Sequence, residues 1–171
     1  MRKGIVVLAG IALLVVVNGS ILSRERLIDD GRVVLLELAP VDPRSMMQGD
    51  YVALQFKAAR DAFPLTAPRA AAEDGRLVLA QDARGVATYR RLDGGGPLAA
   101  DEVRIRYRIR HGTPKLATNA WFFEEGHAAD YAKARYGEFR VASDGEAILT
   151  GMRDATLARL GAARRPAATA R

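Results

Sequence analysis

The sequence predicts a mainly β fold with minor α+β character: an N-terminal transmembrane helix followed by a small antiparallel β barrel or sandwich that carries one short helix. Three observations predict it. The first is the apolar run GIVVLAGIALLVVV, Gly4 to Val17, in a stretch with no charged residue between Lys3 and Arg24. The second is a period of two that dominates the chain beyond Arg24, which is the side-chain period of a strand. The third is Asp144-Gly145 between two apolar-rich runs, the strongest short hairpin signal present.

At about 1.5 Å per helical residue, Gly4 to Leu22 covers roughly the 30 Å of a bilayer's hydrocarbon. A cleaved signal peptide shares the basic start and apolar centre. The exit, Asn18-Gly19-Ser20-Ile21-Leu22-Ser23-Arg24, offers only Val17 and Gly19 as a poor cleavage pattern, which favours an uncleaved anchor over residues 1–23. Arg2 and Lys3 stay inside by the positive-inside tendency, so residues 24–155 are expected on the extracytoplasmic, periplasmic side. Residues 156–171 are expected to be a disordered tail, Ala-, Arg- and Pro-rich from Ala162 to Arg171.

In 171 residues, 49% hydrophobic and 27% charged, there is room for one domain with a real core. A net charge of +6 suggests an acidic partner, and outward placement turns that expectation from nucleic acid toward lipid or envelope polymer. Cysteine is absent, which excludes disulfides, thiol chemistry and lipid attachment through an N-terminal cysteine.

Gly31 to Ala39 is rich in leucine and β-branched residues and stops at Pro40, as a largely buried strand does. Asp42-Pro43 fixes a turn, because the proline ring locks its own φ and turns Asp42 away from helical angles. Tyr51 to Lys57 then alternates, with Val52, Leu54 and Phe56 facing inward. Ala58 to Asp74 is a surface excursion with one helical turn. Arg76 to Gln81 and Gly85 to Arg91 form two strands joined through Asp82-Ala83-Arg84-Gly85. Gly94 to Gly96 is a flexible connector, with no Lys-Ser/Thr after it to make a phosphate loop.

From Asp101 to Arg110 the alternation is most regular, with Val103, Ile105, Tyr107 and Ile109 against Arg104, Arg106, Arg108 and Arg110. The arginine face is either a docking strip for anionic headgroups, polymer or protein, or a solvated face balanced by cross-strand carboxylates. Leu116 to Phe123 continues the apolar pattern, and His127 to Tyr136 predicts a helix of about three turns, stopped by Gly137. On that helix Tyr131 and Arg135 share a face. Glu138 to Ser143 and Glu146 to Gly151 form the closing hairpin.

Two blocks carry a resemblance. GDYVALQF, Gly49 to Phe56, preceded by VDPRSMMQ, and WFFEEGHAADYAKARYGEFRV, Trp121 to Val141, together with the N-terminal anchor, resemble the family of bacterial membrane-anchored proteins named for a GDYxxLxY motif. The resemblance extends over most of residues 1–155. Phe56 stands where that motif has tyrosine, which removes a hydroxyl and keeps the ring. Glu124 stands where an apolar residue or proline is expected. What the resemblance implies is an inner-membrane envelope protein with no established activity, whose relatives tend to be encoded beside multispanning membrane proteins.

The expected function is therefore a membrane-anchored binding or assembly module that docks on a multispanning membrane protein. Its candidate binding positions are Asp42, Arg44, Gly49, Asp50, Tyr51, Leu54, Trp121, Glu125, Tyr131 and Arg135. The alternative is an anchored hydrolase of envelope substrates that uses Asp42 and Asp50, joined by Glu125, as acid and base. None of Ser20, Ser23, Ser45 and Ser143 lies in a Gly-x-Ser-x-Gly elbow, and His111 and His127 lack metal-ligand spacing. No metal, cofactor or nucleic acid is expected.

Overall fold

A computed structural model describes residues 2–39, 47–48, 51–64, 74–110 and 113–161. The apolar N-terminus forms one helix, α1 (Arg2–Asp30), about 43 Å long at 1.5 Å per residue. Its apolar residues are spread round the whole circumference, and every residue from Leu8 to Arg26 is exposed. This helix is long and apolar enough to cross a membrane. It does not stop at the anticipated boundary of residue 23. Leu27 is buried against the β domain at 8% exposure, and Arg140 Nη1 donates to the carbonyls of Asp29 (3.4 Å) and Gly31 (3.0 Å), placing a cation on the negative end of the helix.

Only Gly31 separates α1 from β1 (Arg32–Glu37). Its N–H closes the last helical turn on Leu27 O at 3.0 Å, and a Cβ here would collide with that same carbonyl and press on Arg140 Cβ at 3.1 Å. Gly31→Ala is therefore expected to pry α1 from the sheet and cost about 1–3 kcal/mol. A lowered melting temperature, with faster amide exchange confined at first to residues 27–32, checks it; an unchanged melt refutes the tight joint.

The remaining elements are β2 (Met47–Gln48), β3 (Tyr51–Ala53), α2 (Lys57–Ala62), β4 (Gly75–Gln81), β5 (Val86–Leu92), β6 (Glu102–Arg110), β7 (Thr113–Leu116), β8 (Ala120–Phe122), α3 (Ala128–Tyr131), β9 (Tyr136–Val141), β10 (Ala147–Arg153) and β11 (Arg159–Leu160). Among the described residues they make an eight-stranded sheet in the order β11-β10-β9-β1-β5-β4-β6-β7 and a three-stranded sheet β2-β3-β8. The mainly β reading with an N-terminal helix holds. The large sheet is mixed, because β1 runs parallel to β5 while every other pairing is antiparallel. β1 is central, and Val34, Leu35 and Leu36 are all buried.

Turn chemistry sets the hairpins. Asp82 accepts the N–H groups of Val86 and Arg84 through Oδ1 at 2.9 Å each, and Gly85 takes φ +86°. These hydrogen bonds, led by that from Val86, hold the Asp82 carboxyl below its usual pKa. Gly145 takes φ +92° in the closing hairpin, where it packs on Arg106 of β6. One face of the large sheet carries the core. Leu36, Leu77, Leu79, Ile105 and Phe139 meet Leu54, Phe56 and the buried Ala58 and Ala59 of α2, and Phe63 packs edge-on to Tyr107 at 4.9 Å.

Two local expectations are corrected. The helix over His127 to Tyr136 shrinks to the single turn of α3, because Tyr136 pairs with Glu37 and Arg153 and begins β9. The strand expected from Tyr51 to Lys57 ends at Ala53; after it, Phe56 makes an isolated bridge to Leu38 and α2 begins at Lys57. Beyond residue 155, β11 still adds to the sheet edge, while residues 162–171 lie outside the described residues.

Candidate functional site

The two sequence blocks that stand out in the chain meet in space. β3 pairs with β8 in the register Tyr51 to Phe122, Val52 to Trp121 and Ala53 to Ala120, and Leu54 N–H continues the ladder to Asn119 O at 2.6 Å. On its other side β3 pairs with β2, Gln48 opposite Tyr51. Gly49 and Asp50 fall between those strands and, with Asp42 and Arg44, lie outside the described residues. For Tyr51 only the backbone pairing is described. Leu54 and Phe56 face inward as expected, each 2% exposed.

Phe56 is a structural junction. Its ring meets Phe139 edge-on, with centroids 5.2 Å apart and planes at 71°. Gly137 leaves the space for that ring, since a Cβ there would lie 3.0 Å from Phe56 Cε1. The Phe56 carbonyl accepts from the N–H groups of Ala59 and Arg60 at 3.0 and 3.2 Å, starting α2. Next to it, Gln55 O accepts Ala39 N–H at 2.7 Å and ties the segment to the end of β1.

The second block supplies an aromatic cluster. Tyr131 stacks on Phe123 at 5.4 Å and meets Trp121 edge-on at 5.9 Å, while Phe122, on the opposite face of β8, is 71% exposed. Trp121 Nε1 is buried without a hydrogen-bond partner among the described residues. Glu125 lies exposed in the turn before α3, where Gly126 takes φ +85°. His127 Nδ1 sits 2.8 Å from Asp130 Oδ2, and that hydrogen bond raises the pKa of the imidazole. Because α3 ends at Tyr131, Tyr131 and Arg135 do not share a helix face. The Arg135 guanidinium turns instead to Glu37, 3.9 Å away, which also pairs with Lys57 at 3.5 Å. Of the three carboxylates considered for hydrolysis, only Glu125 is described, and the described residues hold no group of three or more acidic or histidine side chains able to bind a metal.

On β6 the arginines project away from the core. Arg104 faces Asp93 at 3.6 Å, Arg106 faces Asp144 and Glu146 at 3.9 and 3.6 Å, and Arg110 faces Asp74 at 3.3 Å. The exposed Arg108 has no ion pair among the described residues.

Two buried carboxylates escaped sequence reasoning. Glu102, 6% exposed, receives Arg90 and Arg91 at 3.5 and 3.0 Å together with Ala99 N–H. Glu138, 4% exposed, receives the Arg153 fork, Thr150 Oγ1 at 3.3 Å and, more distantly, Arg159. The signal for Glu138 is its place between Gly137 and Phe139; the arginines that hold it lie fifteen or more residues onward.

An eight-stranded mixed sheet borne on one long apolar helix, with its two sequence blocks joined as the neighbouring strands β3 and β8, defines the class of protein. The family model described as GDYXXLXY protein matches residues 13–152, and the chain belongs to that family. No curated protein and no solved structure matches it.

Proposed function

We propose that the chain is a membrane-anchored envelope module in which α1 spans the bilayer and holds the β domain outside it, docked on a multispanning membrane protein. The observation that carries this reading is the joint between α1 and β1. The helix that carries the apolar stretch continues through a polar last two turns and, across Gly31 alone, into the central part of the sheet. A flexible linker at this point would leave the domain free to reorient. Here the domain keeps a fixed height and orientation over the lipid, which suits contact with a partner held in the same membrane. Asn18 supports it further, as a polar side chain in the apolar stretch whose Nδ2 donates to Leu14 O at 2.8 Å and whose carbonyl is available to a neighbouring helix.

Photo-crosslinkers placed at Ile11, Val17 and Ile21 in native membranes test the docking. Adducts with one multispanning protein, strongest near Asn18, are expected, and recovery of lipid adducts alone at all three positions rejects the partner. A reporter fused after Arg171 is expected to be active outside the cytoplasm; a cytosolic signal removes the compartment and the partner together.

A further inference from the structure

At the foot of α1 the helix, the start of β1, the start of β6 and the end of β9 border an open cavity of about 630 Å³. Ser23, Arg26, Arg32 and Arg104 bring polar groups to it, and Leu98 and Val103 form part of its apolar wall. We infer that this cavity seats the phosphate headgroup of an anionic phospholipid, an inference that rests on α1 spanning the bilayer as proposed above.

Height is the first argument. Ser23 directly follows the apolar stretch, so the rise from Ser23 to Asp30, about 10 Å, passes through the headgroup layer that flanks the hydrocarbon. A lipid seated here would keep its acyl chains along the exposed Ile21 and Leu22.

Charge is the second. Asp30 and Glu102 also line the space, alongside Arg26, Arg32 and Arg104. Arg90 and Arg91 already neutralise Glu102 from the side. Arg32 donates to two uncharged acceptors, Gln81 Oε1 at 2.7 Å and the Glu102 carbonyl at 3.0 Å, which leaves its charge unmatched by any carboxylate among its described hydrogen bonds. Arg104 is already engaged, by Asp93 at 3.6 Å and through Nη2, which donates to Gly96 O at 3.3 Å, so the unmatched charge comes from the other two arginines. Arg26 is exposed and forms no ion pair among the described residues. The carbonyl end of α1 would repel an anion, but Arg140 caps it. Arg26 and Arg32, two arginines without a carboxylate partner among the described residues, line one space at the headgroup level, and their planar forks match a phosphodiester.

The full chain, purified in mild detergent from vesicles of mixed phosphatidylcholine and phosphatidylglycerol, tests this by native mass spectrometry of retained lipid. Phosphatidylglycerol is expected to be retained preferentially, and Arg26→Gln to reduce that retention about tenfold without changing the melting temperature. Arg108→Gln, a control on the exposed arginine of β6, should leave retention unchanged. Equal retention of both lipids, or equal losses in Arg26→Gln and Arg108→Gln, overturns the site. Displacement of the lipid by millimolar inorganic phosphate, with phosphate then bound in its place, reassigns it to a soluble anion and also overturns it. A carbonate wash separates the two readings. A chain that stays in the membrane without lipid preference refutes only the headgroup site, whereas a chain that is washed off refutes both.

Discussion

Phe56→Ala is expected to destabilise the β domain by about 3–5 kcal/mol, the largest effect of any single change at the GDYVALQF block. The ring is 2% exposed, fits the space above Gly137 and closes edge-on against Phe139, itself fully buried. A truncated side chain leaves a void bounded by three elements, because the same residue bridges to Leu38 and starts α2 through its carbonyl. Denaturant unfolding followed by tryptophan fluorescence is a suitable measurement, since Trp121 is the one tryptophan and lies on the strand paired with β3. A loss under about 1 kcal/mol would contradict close packing at this junction.

Glu138→Gln is expected to cost about 2–3 kcal/mol. The carboxylate is 4% exposed and organises Arg153, Arg159 and Thr150 across β9, β10 and β11. Arg153 also donates to Leu157 O at 2.6 Å and Arg159 to Thr150 O at 2.7 Å, so the two cations stay anchored in place after their counter-charge is gone. Glu37→Gln is the control, because its partners Lys57 and Arg135 are more than half exposed, and it should cost less than about 1 kcal/mol. Equal unfolding midpoints for the two variants would show that the buried cluster adds nothing beyond a surface pair.

What could be read from the sequence was local. The alternation of β6, the Asp82 to Gly85 link and the Asp144-Gly145 hairpin are written in residues that neighbour one another, and each appears in the fold. The apolar helix was equally plain, but its end was not. Arg24 to Asp30 is polar and reads as an exit from the membrane, while Leu27 packing and the Arg140 cap, which come from β9 more than a hundred residues away, keep it helical. HAADYAKARY has helical propensity, yet the pairing of Tyr136 with Glu37 and Arg153 overrides it. The parallel pairing of β1 with β5 has no local signal at all. For the candidate site, sequence picked out both blocks, but the register that joins β3 to β8 is a property of the folded sheet. Neither the cavity beneath α1 nor the arginines around Glu138 leave a pattern in neighbouring residues.

The position of β1 has a consequence for biogenesis. The first strand to follow the helix lies between β5 and β9, so its hydrogen-bonding edges wait for residues 86–87 and then 136–141 to arrive. During synthesis this early segment therefore stays unsatisfied until most of the polypeptide has been made, and completion of the fold falls late.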